Sequence, residues 1–126
     1  MLLKVERDSV CASDDADAPH AKGFTFEANE SLAEALSAIL KAGNLPTIAA
    51  GQATWIVEAD KPLSVVAQQW SSPEFLISPA TRLTDCLSGG TSRHLFFHYW
   101  CQSEPRVVLD CLKVGHPLPD RYGRDR

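Results

Sequence analysis

Arg93-His94-Leu95-Phe96-Phe97-His98-Tyr99-Trp100-Cys101-Gln102 is the stretch on which the fold turns. Alternation with a period of two sends His94, Phe96, His98 and Trp100 to one side of an extended chain and Leu95, Phe97, Tyr99 and Cys101 to the other. Both sides are largely apolar or aromatic, which predicts a strand at the centre of a sheet. Upstream, Ser88-Gly89-Gly90-Thr91-Ser92 reads as a turn. It has the composition of a phosphate loop but lacks the Gly-Lys-Ser/Thr ending that such a loop requires. Downstream, Ser103-Glu104-Pro105 opens a helix whose Val108, Leu109 and Leu112 face inward and which Gly115 stops.

Farther out, Thr54 to Ala59 is rich in β-branched and aromatic residues, Asp60-Lys61-Pro62 is a turn, and Leu63 to Trp70 returns as an antiparallel partner. Leu2 to Val5 and Phe24 to Phe26 are short extended segments, and Glu74 to Ile77 is a brief strand. Ala80 to Leu87 fits either a short helix or a strand. Ser31 and Glu34 match a capping box ahead of Leu32, Leu36, Ile39 and Leu40 at helical spacing, so a helix is predicted over 32–42 with Gly43 ending it. Residues 116–126 read as an exposed tail. Together these elements predict one α+β domain over 1–126: an antiparallel sheet of about four to five strands with two main helices packed on one face.

At 126 residues, 44% hydrophobic and 22% charged, the chain is long and apolar enough to bury a core without staples. Its charge is unevenly placed. Residues 1–30 hold three basic and seven acidic side chains, whereas residues 31–126 hold nine of each, so the first thirty residues carry the whole net charge of −4. Scattered, outnumbered lysines and arginines exclude the basic stripe that a nucleic-acid binder needs. Lys4, Glu6 and Arg7 stand where a secretory signal would place its apolar core, and no stretch is long enough to span a bilayer; a cytoplasmic, membrane-free protein is expected. Cys11, Cys86, Cys101 and Cys111 lack the spacing of a disulfide scaffold or a zinc site and are expected to be buried free thiols.

The acidic loop over 8–21 concentrates Asp8, Asp14, Asp15 and Asp17 with His20. Its spacing does not make an EF-hand, which needs alternating oxygen donors, a central glycine and a distal glutamate. No metal and no cofactor are therefore expected. These five residues are instead candidates for docking a basic protein partner, as in an immunity or antitoxin protein that masks a cationic nuclease. The alternative is a small enzyme or ligand-binding domain built on His94, His98 and Trp100, with Cys101 or Asp110 in support. His94 and His98 are four residues apart, like the two histidines of a zinc protease helix, but Leu95 stands where the glutamate of that motif would be. An uncovered His94/His98 face would favour chemistry, and Phe96 would join it as a π-rich recognition surface. A second alternative, a homo-oligomeric structural subunit such as a dimer, requires a large apolar patch, often centred on Trp55, Trp70 or Trp100.

Overall fold

The computed structural model describes residues 1–10, 20–43, 45, 52–87, 92–101 and 103–119. In chain order the elements are β1 (Leu2–Arg7), β2 (His20–Thr25), α1 (Leu32–Lys41), β3 (Thr54–Glu58), β4 (Pro62–Ala67), β5 (Glu74–Phe75), α2 (Leu83–Cys86), β6 (Ser92–Tyr99) and α3 (Pro105–Val114). The six strands form one sheet in the order β2-β1-β6-β3-β4-β5. The predicted β3–β4 hairpin is present, and β6 holds the central place its two apolar faces require. Cys11, Asp14, Asp15, Asp17, the Ser88 to Thr91 turn, Gln102 and the C-terminal arginines lie outside the described residues.

Two features of the predicted sheet need correction. It has six strands rather than four or five, and it is mixed: β6 enters between β1 and β3, running parallel to β1 and antiparallel to β3. The chain reaches β6 only after passing through both α1 and α2 and the β3–β4–β5 meander, so its direction is set by the return path and not by a tight turn. Asp8 prolongs the parallel pair, its N–H donating to the Phe97 carbonyl at 3.1 Å and its carboxylate accepting from the Tyr99 N–H at 2.9 Å.

The two main helices also lie on opposite faces, not on one. Leu32, Ala35, Leu36 and Ile39 of α1 pack with Leu3, Val5, Trp55, Val57, Leu95 and Phe97 in the larger core. Val108 and Leu109 of α3 pack with Ile56 and Val65 on the reverse side, joined by Trp70, Trp100, Leu112 and Leu118. The reason lies in β3 and β4, which are buried on both faces. One helix cannot cover Trp55 and Ile56 together, because adjacent strand residues point in opposite directions.

Helix ends follow local chemistry. Ser31 Oγ accepts from the Glu34 N–H at 3.1 Å and Glu34 Oε1 accepts from the Ser31 N–H at 3.2 Å, completing the capping box. Two more first-turn N–H groups, those of Leu32 and Ala33, donate to the carbonyls of Thr81 and Pro79. The segment before α2 thus satisfies donors that every helix start leaves open. Both α1 and α3 are followed by a left-handed glycine, Gly43 at φ 76° and Gly115 at φ 74°. Residues 80–87 resolve into the short helix α2, and the predicted tail is exposed at His116 and Pro117 but packs Leu118 into the smaller core.

Candidate functional site

Helix α3 covers only the β3–β4 side of its face. Across β1 and β6, no described element lies over the same face, and the side chains there follow from register. Lys4 stands opposite His94, and Glu6 opposite Phe96. On the other flank, Glu58 is also opposite Phe96, and Ile56 is opposite His98. The register shift after Val57 affects the pairing with β4 and leaves Glu58 in line with Phe96. A single row across three strands therefore reads Glu6, Phe96, Glu58.

Each carboxylate reaches diagonally to a histidine. The Nε2 of His94 lies 2.8 Å from Glu6 Oε1, and the Nε2 of His98 lies 2.9 Å from Glu58 Oε1. The Lys4 ammonium approaches the same Glu6 oxygen at 3.4 Å. The Phe96 ring lies between the imidazoles, 4.5 Å from His98 and 6.3 Å from His94 between centroids. The hydrogen bond from His94 is the main cause holding the Glu6 carboxyl below its usual value, with burial opposing and Lys4 assisting. The two pairs are open to water, with side-chain exposures of 49% and 23% for His94 and Glu6 and 34% and 37% for His98 and Glu58. Pairs this exposed contribute only about 0–1 kcal/mol to folding. Stability is thus a weak reason for this arrangement.

The predicted constellation of His94, His98 and Trp100 is divided by the structure. The two histidines share the open strip, but Trp100 sits at the smaller core and its indole N–H donates to the Pro119 carbonyl at 2.9 Å. Asp110 is exposed on α3, and Cys101 occupies a left-handed position at φ 56° just beyond β6. Cys86, Cys101 and Cys111 are half-buried rather than fully buried. Burial pushes the Cys86 thiol above its ordinary value, which disfavours the nucleophilic thiolate. Among the described residues no group of three or more His, Cys, Asp or Glu side chains is arranged to hold a metal ion.

Of the acidic-loop candidates, Asp8 and His20 are described. Asp8 is tied to the Tyr99 amide at the end of β1, and His20 opens β2 opposite Arg7. The acidic segment therefore leaves and rejoins the sheet at the end where His98 stands. Glu6 and Glu58 were missed by sequence reasoning. The alternation of Leu3 and Val5 against Lys4 and Glu6 places Glu6 on the face away from the core, but its histidine partner is 88 residues distant.

Three depressions in the surface, at Leu76 and Lys113, at Trp70 and Arg106, and at Ser37 and Lys41, do not include His94 or His98. The exposed large apolar side chains Leu2, Val107 and Val114 are divided between β1 and α3. Trp55 is 2% exposed and belongs to the core, whereas Trp70 and Trp100 are partly buried against the smaller core, the Arg106 guanidinium lying 5.1 Å from the Trp70 ring centroid. No described helix is long and apolar enough to cross a membrane. Comparison with family models, with curated proteins and with solved structures gives no significant match.

Proposed function

We propose that the protein is a small acidic protein-binding module that masks a basic partner, an inhibitor of the immunity or antitoxin kind. The observation that carries this reading is the half of the sheet face over which no described element lies, where Phe96 is flanked by Glu6 and Glu58. A half-exposed aromatic with carboxylates on both sides suits a cationic protein surface, and Asp14, Asp15 and Asp17 belong to the first thirty residues, which carry the whole net negative charge. Such charges act on encounter more than on folding.

The test is capture of the partner from the native cell extract at low and high salt, followed by association kinetics. A basic protein that associates more slowly with D14N/D15N/D17N and with E6Q/E58Q is the expected result. An acidic partner, or association rates unchanged in both variants, would sink the reading.

The two imidazole–carboxylate pairs favour a second reading, a small enzyme using His94 and His98 as acid and base. Their exposure weighs against it, since a catalytic pair gains from a site that excludes water. A turnover assay on the partner, with H94A/H98A as control, separates the two: masking survives the loss of a proton donor, whereas catalysis does not.

A further inference from the structure

The row Glu6, Phe96, Glu58 has a more specific chemistry than negative charge. The Phe96 ring is half-buried, so one part is anchored in the sheet and another faces solvent. The carboxylates on the two neighbouring strands have hydrogen-bonding capacity beyond the imidazole each engages and the Lys4 ammonium at Glu6, because an ionised carboxylate accepts at about four lone-pair sites. Among the described residues the strip brings together the carboxylates of Glu6 and Glu58, the Lys4 ammonium and the imidazoles of His94 and His98.

We propose that this row is the seat of an arginine side chain from the partner, the guanidinium stacking on Phe96 and donating to Glu6 or Glu58. Arginine fits better than lysine for a physical reason. Its planar, weakly hydrated cation stacks on an aromatic ring while its in-plane N–H groups remain free to fork onto carboxylates, whereas an ammonium is a strongly hydrated point charge. The imidazoles and the Lys4 ammonium already engage these carboxylates, so an incoming guanidinium must share or displace those contacts. This inference rests on the reading of the protein as a binder of basic partners.

The experiment uses the full chain and two probes, a hexa-arginine and a hexa-lysine peptide, followed by NMR of the Phe96, His94 and His98 ring signals. The arginine peptide is expected to shift all three rings and to bind more tightly than the lysine peptide. F96A and E6Q/E58Q are each expected to lose about tenfold in affinity. Equal binding of the two peptides would overturn the arginine assignment. So would ring signals that stay still while the peptide binds. If D14N/D15N/D17N abolishes peptide binding and F96A does not, the seat is wrong and the acidic-docking reading stands. If neither peptide binds the wild-type chain at all, both are wrong.

Discussion

Phe96 and Phe97 are neighbours in sequence with opposite fates. Phe97 is fully buried in the larger core, whereas Phe96 is half-exposed between two histidines. Truncating Phe97 to alanine should cost about 3–5 kcal/mol in urea unfolding, through lost transfer energy and the cavity left behind. Truncating Phe96 should cost less than about 1 kcal/mol. Equal losses would contradict the face assignment. A second residue-scale expectation concerns Glu6, whose folded carboxyl titrates below the ordinary 4.5 chiefly because of His94. A carboxyl lowered on folding contributes stability above its unfolded value, and that contribution disappears as pH falls through its folded value. Carbon-13 NMR of the Glu6 carboxyl should show its midpoint rise in H94A. An unmoved midpoint would remove the His94 bond as the cause.

At the scale of the element, the helices were the most legible part of the chain. Ser31 and Glu34 announce α1, and Pro105 with Gly115 bound α3, because caps and stops are chemistry between residues a few positions apart. Gly115 is held at φ 74° with open space where a Cβ would stand. Its replacement by alanine should therefore cost about 1 kcal/mol through backbone conformation without a clash, read as a lower unfolding midpoint. A G115A protein as stable as the parent would count against the left-handed helix end. Strand β6 was equally readable, since a period of two sorted its side chains correctly. What alternation left open was cover. Trp100 shares a face with His94 and His98, yet it packs at the smaller core with Leu112 and Leu118 and its indole N–H donates to the Pro119 carbonyl.

At the scale of the whole molecule, residues 118–119 link the C-terminal segment to the core. A chain ending at Pro117 loses the packing of Leu118 and the carbonyl that accepts from the Trp100 indole. It should be destabilised by about 1–3 kcal/mol, with tryptophan emission shifted toward that of a wetter indole. Unchanged stability and emission would restore the reading of the entire 116–126 stretch as a free tail. The same scale explains why the open strip was only half foreseen. His94, Phe96 and His98 were placed on one face from sequence, whereas Glu6 and Glu58 join them through pairings that span 88 and 40 residues.

The amino-acid sequence by itself determined where the main helices begin and end, the β3–β4 hairpin, the two faces of β6 and the concentration of negative charge in the first thirty residues. All but the last of these depend on periodicity, capping or turn chemistry within a few positions, and the charge is a matter of composition alone. Only the tertiary structure decided that β6 lies between β1 and β3, that it runs parallel to β1, and that α1 and α3 take opposite faces of the sheet. Those outcomes depend on which distant strands find one another and which apolar face each helix can reach, and a local pattern of residues fits several such arrangements equally well.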